Sequence, residues 1–209
     1  MKKKQILIAG NGTSNTSVDF RRVPKGIEVF RVTAFFLEDK YYLGKNVDYF
    51  LDYYLNLDYV YLTLHHLNKR NEYKINKNNI YVTVTETANE HFPTVIPATP
   101  ILHKNKAIAE FRRFYEYYYG HYLSTGITAI GLAASLGFEE IYLTGFDFYT
   151  NKGQLYPYIP LTPNSCELEN TKTTDGGGIY RTIKYKGESN ADAAVRNHPT
   201  QMQIDFIEL

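Results

Sequence analysis

The sequence predicts an α/β domain: a mostly parallel sheet flanked by helices, with a lid inserted near its end. Three observations carry this. Gln5 to Ala9 (QILIA) is a continuous apolar run, as a strand buried on both faces requires, and it enters the turn Gly10-Asn11-Gly12-Thr13-Ser14 directly. Tyr122 to Tyr158 reads in succession as helix, glycine stop, strand and polar loop. The stretch 159–197 is rich in Thr, Asn, Gly and Lys, and around Gly176-Gly177-Gly178 it has too little apolar surface to build a core. Strands that alternate with helical segments make a Rossmann-like sheet. Residues 1–158 are expected to form the sheet domain and 159–197 a flexible lid. Residues 198–209 are expected to start a helix that completes the domain, with the chain ending inside it.

The elements follow in order. Val23-Pro24 opens a turn, and Gly26 to Thr33 (GIEVFRVT) reads as a second strand. Lys40 and Gly44 punctuate the next stretch, and Val47 to Tyr54 reads as a third strand. Leu57 to Leu67 sets Tyr61, Leu64 and Leu67 on one helical face, with His65 and His66 beside it. Adjacent residues on a helix point apart, so these two histidines are poor joint metal ligands. Asn79 to Thr87 (NIYVTVTET) alternates as a strand does, and HFPTVIPATPILHKNKA, with its prolines, predicts an irregular excursion. Ala107 to Gly120 is an amphipathic helix that stops at glycine. Ser124 and Thr125 suit a helix start because their hydroxyls accept from first-turn amides. Ile127, Ile130 and Ala134 then recur at helical spacing, with small Gly131 and Ala133 between them for close packing. Gly137 supplies the left-handed stop, and Glu140 to Gly145 a short buried strand. Beyond the lid, Met202, Phe206 and Leu209 share one face of the last helix.

Composition narrows the function. A chain of 209 residues suits one domain, and 23 basic against 22 acidic residues give a net charge of +1, with no long-range field for nucleic acid. The single cysteine, Cys166, excludes an internal disulfide framework and fits a reducing compartment. The basic start MKKKQILIAG lacks the apolar length of a signal peptide, and no run approaches the roughly twenty residues that span a bilayer. A cytoplasmic protein is expected, with peripheral membrane attachment left open. Twenty tyrosines and no tryptophan supply rings with hydroxyls, suited to packing, sugar stacking and phosphate contacts alike.

Open parallel sheets bind ligands at the carboxyl ends of their strands. At the end of the first strand, Gly10 and Gly12 would let backbone amides approach a phosphate or ribose, and Asn11 and Ser14 would add side-chain hydrogen bonds. The dinucleotide pattern is absent, since position 15 is Asn, and a plain strand-to-turn connection explains the glycines equally well. The helix start at Ser124, Thr125 and Gly126 is an anion site if it faces the same crevice. After the last strand comes a loop with Asp147, Tyr149, Gly153, Tyr156 and Tyr158. His198, at the lid's far hinge, titrates near neutral pH, although a lone histidine is more often structural. There is no cysteine pair, HExxH or G-x-S-x-G, and Asp147-Phe148 lacks the second aspartate of a metal-bridged nucleotide-sugar site.

The blocks IAGNGTS at 8–14, Phe30-Arg31 with EDKYYLGK at 38–45, STGITAIGLAASLGFEEIYLTGFDFY at 124–149 and Gly-x-x-Tyr at 153–156, followed by His198, resemble the bacterial lipooligosaccharide sialyltransferases that use CMP-sialic acid. The resemblance implies an inverting transfer of sialic acid to a terminal galactoside of lipooligosaccharide. It implies that Gly10, Asn11, Gly12, Ser14 and Thr33 hold the nucleotide, and that Ser124, Thr125 and Gly126 contact the donor, including its carboxylate. Tyr149 and Tyr156 would bond the leaving phosphate in place of a metal ion, and His198 would be the base that deprotonates the acceptor. No cofactor beyond the donor is implied. Nucleotide sugar, acceptor glycan and further copies of the chain are the partners it implies, at the cytoplasmic face of the inner membrane. This chain has Thr33 where the family pattern carries asparagine, and Tyr122 where it carries arginine. Two alternatives keep the fold: a relative that binds nucleotide or glycan without catalysis, and a transferase for another CMP-linked acidic sugar. A dinucleotide oxidoreductase is disfavoured by the glycine pattern.

Overall fold

The computed structural model describes residues 3–33, 35–38, 40–52, 69, 71–82, 99–100, 106–121, 123–148, 169–172, 179–182 and 199–208. Strands β1 (Gln5–Ala9), β2 (Glu28–Val32), β4 (Tyr49–Asp52), β6 (Ile80–Val82), β7 (Thr99–Pro100) and β8 (Glu140–Thr144) form one sheet in the order β7-β6-β4-β2-β1-β8. Every pairing in it is parallel. The chain steps outward from β1 through β2, β4 and β6 to β7, then returns to the other side of β1 as β8. That reversal opens a crevice at the carboxyl ends of β1 and β8. Strands β3 (Asn46–Val47) and β5 (Lys74–Ile75) make a small parallel pair, and β9 (Glu169–Lys172) and β10 (Ile179–Thr182) an antiparallel one. The helices are α1 (Lys106–Tyr119), α2 (Thr125–Ser135) and α3 (Thr200–Glu208).

One face of the sheet carries the helices. Ile6, Ile8, Phe30, Val32 and Leu51 pack against Ala129, Leu132 and Ala133 of α2 and Ile108 of α1. Small residues let these elements close up: a side chain at Gly131 would start 3.0 Å from the Phe206 ring of α3. The opposite face buries a charge. Arg31 and Glu38 pair at 2.7 Å with both side chains 2% exposed. Tyr73 donates to the same carboxylate at 2.8 Å, and the Phe35 ring lies 4.8 Å from the guanidinium. Burial, and then the Glu38 charge, push the Tyr73 hydroxyl far above its ordinary range. Either ion left unpaired here would be costly, so the pairing ties Arg31 of β2 to Glu38 seven residues on.

Several expected elements change. Val47 to Tyr54 is not one strand: Asp48 interrupts it, because its carboxylate accepts from the Val29 amide at 2.8 Å, leaving β3 on one side and β4 on the other. Asn79 belongs to a short 3-10 turn, and the strand starts at Ile80. Within the proline-rich excursion, Thr99–Pro100 adds the sheet's edge strand, where a residue with no amide proton is tolerated. The strand expected to be buried, β8, is half-buried with Leu143 43% exposed, because it is the other edge of the sheet among the described residues. The expected helix at 57–67, with His65 and His66, lies outside the described residues. In the segment read as a lid, 169–172 and 179–182 pair as strands, and the remainder of 159–197 lies outside the described residues.

Removing one member of the buried pair strands the other. Arg31→Met or Glu38→Gln is expected to cost about 3–5 kcal/mol in denaturant unfolding, with much of that recovered in Arg31→Met/Glu38→Leu. A single variant as stable as the parent would show that the pair does not hold this face.

Candidate functional site

The crevice is built from two crossing strand ends. The Gly10 amide donates to the Thr144 carbonyl at 2.9 Å, and the Gly12 amide to the Gly145 carbonyl at 2.9 Å. Asn15, 3% exposed, turns its amide onto the Gly10 carbonyl at 2.6 Å. The two glycines of the turn therefore serve a backbone-to-backbone approach, and both of their amide donors are already engaged within the protein. A side chain at Gly12 would start 2.6 Å from the Asp147 carboxylate. That carboxylate gathers the rest of the turn: Thr13 Oγ1 donates to it at 3.0 Å, the Ser14 amide at 3.0 Å, and the Ser14 hydroxyl donates to its other oxygen. The Ser14 hydroxyl also accepts from the Gly145 amide at 3.0 Å. Asp147, which the sequence marked only as part of a polar loop, is the centre of this joint. The signal available was its place just past β8, with hydroxyl residues at 13 and 14 after the first strand.

At the end of β2, Thr33 has φ +44°, a left-handed conformation that a β-branched residue rarely adopts. Its amide is held by the Leu51 carbonyl at 2.9 Å. Its hydroxyl accepts from the Asn11 side chain at 2.8 Å, and the same Asn11 nitrogen donates to the Val32 carbonyl at 3.0 Å. A backbone carbonyl only accepts, so this contact decides which end of the carboxamide faces the sheet. The Asn11 Oδ1 is left buried with no hydrogen-bond partner. Asp52, 1% exposed, ends β4.

The start of α2 lies against the loop that follows β8. Ser124 caps it, accepting from the Ile127 amide at 3.4 Å, and donates to Gln203 Oε1 at 2.7 Å. Both the donor and one acceptor site of that hydroxyl are thus engaged. A side chain at Gly126 would start 2.9 Å from the Phe146 ring, which brings the helix start against the loop that follows β8. Gln203, 2% exposed between Met202 and Phe206, was not anticipated; its signal was a polar residue on an otherwise apolar helical face. Helix α3 is tied down further. The Tyr119 hydroxyl donates to Asp205, and this bond, with a second from Gln201, holds the Asp205 carboxyl below its usual range. Thr200 Oγ1 reaches the Phe148 carbonyl at 3.5 Å.

The structure joins Gly10, Gly12 and Ser14 to the end of β8 and Asn11 to Thr33, and it sets Ser124, Thr125 and Gly126 at the start of α2, where Gly126 meets the Phe146 ring. Tyr149, Tyr156 and His198 lie outside the described residues, as does Tyr122. Their neighbours Phe148 and Thr200 are in contact. Among the described residues no cluster of His, Cys, Asp and Glu could hold a metal ion.

This arrangement has known counterparts. The sialyltransferase CstII from Campylobacter jejuni, in complex with the substrate analogue cytidine-5'-monophosphate, superposes with a TM-score of 0.71 at 26% identity, over 98% of this chain and 74% of that one. CstII with a trisaccharide acceptor and CMP gives 0.69 at 26% identity, over 98% and 76%. The monofunctional alpha-2,3-sialyltransferase Cst-I from Campylobacter jejuni gives 0.67 at 28% identity, over 77% of this chain and 61% of that one. No curated protein sequence matches at a significant level. These matches define a glycosyltransferase of the sialyltransferase class. The family model described as Alpha-2,3-sialyltransferase (CST-I) matches residues 4–173, and the chain belongs to that family.

A β-branched residue at φ +44° carries strain on the order of 1 kcal/mol or more. Thr33→Asn, which tolerates that conformation and can still accept from Asn11, is expected to raise Tm by roughly 2–4 °C in a chain this long. An unchanged or lower Tm would show that Thr33 is held there without strain.

Proposed function

We propose that the chain transfers sialic acid from CMP-sialic acid to a terminal galactoside of lipooligosaccharide, with inversion and without a metal ion. One observation supports this reading: the ends of β1, β2 and β8 are joined by hydrogen bonds and the Phe146 ring after β8 lies against the capped start of α2, in a chain similar to CstII bound to CMP. In the proposed reaction the Thr125 and Gly126 amides receive the donor's carboxylate, because first-turn amides lack intrahelical partners and the helix dipole favours an anion. Ser124 contributes by fixing that helix start through its own bonds. Asn11 and Thr33 hold the nucleoside end.

His198 takes the proton from the acceptor hydroxyl, whose oxygen attacks the anomeric carbon from the face opposite CMP. The glycosidic bond to phosphate breaks and its electron pair leaves on CMP. Hydroxyls of Tyr149 and Tyr156 donate to that phosphate as its charge develops. Segment 159–197 covers the donor and keeps out water, which would otherwise hydrolyse it. No helix among the described residues is long and apolar enough to cross a membrane. We place the protein at the cytoplasmic face of the inner membrane, as a homo-oligomer.

Hydrolysis of CMP-sialic acid, which requires no acceptor, is the first test; CMP binding without turnover would favour a binding-only relative. His198→Ala is expected to lower transfer at least ~10²-fold with CMP affinity little changed. Parental activity in that variant would move the base elsewhere. Tyr149→Phe and Tyr156→Phe should each lose roughly 10- to 1,000-fold in turnover, and the parent should keep full activity in EDTA. A strict divalent-ion requirement would overturn the tyrosine scheme.

A further inference from the structure

The face of the sheet away from α1 and α2 carries two loops that share one small core. Val18, Val23 and Ile27, between β1 and β2, and Tyr42 and Leu43, beyond β2, pack with Leu7 and Ala9 of β1. Those side chains fill the inward positions of both loops. Outward, the loops present rings and cations. Phe20 is 55% exposed and is followed by exposed Arg21, Arg22 and Lys25. Tyr41 is 43% exposed between exposed Lys40 and Lys45, and the Lys45 ammonium lies 4.4 Å from the centre of its ring. Asp19 is the one carboxylate within 18–27 or 40–45, and Arg21 donates to both of its oxygens, at 2.8 and 3.0 Å. Glu28, the next carboxylate after the first loop, is half-buried. Glu38 and Asp48, on either side of the second, are turned to Arg31 and the Val29 amide. Four further cations therefore surround two exposed rings, in a chain whose net charge is only +1.

We propose that this face is the surface by which the protein lies on a bilayer containing anionic lipid. Phe20 and Tyr41 enter the headgroup layer, and Arg22, Lys25, Lys40 and Lys45 lie over lipid phosphates. The inference rests on the membrane placement above and deepens it by naming the surface that makes the contact. Cations alone would suit any polyanion. The exposed Phe20 ring, which offers no hydrogen bond, favours a surface with hydrocarbon beneath its phosphates. Two rings bury too little apolar area to hold a protein on a neutral bilayer, whereas each cation adds roughly fivefold on an anionic one. The attachment is therefore charge-dependent and reversible. The acceptor proposed above is lipid-borne, and such a surface keeps the enzyme where that acceptor is.

The experiment is sedimentation of the full chain with vesicles of phosphatidylcholine alone and of an equal mixture with phosphatidylglycerol. The parent is expected to bind the mixed vesicles at least about tenfold more strongly than the neutral ones, and to leave them in molar salt. Arg22→Gln/Lys25→Gln, which leaves Arg21 to hold Asp19, should weaken that binding roughly tenfold or more, and Phe20→Ser several-fold. Both variants should keep the parent's Tm, since the replaced side chains are exposed. Equal binding to the two kinds of vesicle overturns the inference, as do variants that bind as the parent does. A parent that ignores vesicles overturns it too, whether or not it is retained on heparin. If the substitutions change the number of chains associated in solution and not lipid binding, the face is a contact between copies, and the inference is again wrong. Hydrolysis of CMP-sialic acid without vesicle binding would remove this inference and keep the transferase reading. Vesicle binding without hydrolysis would do the reverse.

Discussion

Strands β1 and β8 meet at their carboxyl ends through two glycines, and each glycine's carbonyl oxygen stands where the other's side chain would begin. A Cβ at Gly10 would lie 2.4 Å from the Gly145 oxygen, and one at Gly145 would lie 2.5 Å from the Gly10 oxygen. Backbone atoms cannot yield as a flexible side chain can, so any larger residue at either place must separate the strands. The remaining contacts of the crevice follow from this approach. It lays Asp147 over Gly12, sets Asn15 under the turn, and presses Phe146 onto the first turn of α2. Gly145 meets the requirement at φ +70°, and Phe148 then turns the chain at φ +47°.

The two faces of the sheet solve burial differently. Toward α1 and α2 the strands offer branched and aromatic side chains that pack against small helix residues, which keeps the helix start close to the strand ends. On the other face Arg31 and Glu38 are buried together and roofed by rings of Phe35 and Tyr73. A buried pair of this kind is screened little by salt, so the architecture on that face is insensitive to ionic strength.

Most of the frame was legible in the sequence because its signals are local. QILIA is apolar without interruption, Ser124 caps a helix, and Gly137 stops it at φ +79°. The misreadings came from contacts between distant residues. Nothing near Asp48 announces that its carboxylate will bind the Val29 amide and divide a strand, and nothing near Pro100 announces a neighbouring β6. The site showed the same division. Glycines at 10 and 12 were visible, but the close approach that demands small residues there was not, since its partners lie more than 130 positions away in Gly145 and Asp147. Gln203 could be noticed as a polar intruder on α3, yet its bond to Ser124 spans 79 positions and has no sequence mark.

The contact between Thr200 and the Phe148 carbonyl joins two points 52 positions apart in the chain. In polymer terms it is the neck of a loop. Once the neck is fixed by α3 on one side and β8 on the other, the entropy of closure grows only with the logarithm of what lies between, about 0.6 kcal/mol for each doubling of length. Insertions and deletions in that interval therefore leave the stability of the sheet and of the crevice almost untouched. The fold has, beyond the carboxyl end of β8, an interval whose length and sequence can diverge without disturbing the frame that carries it.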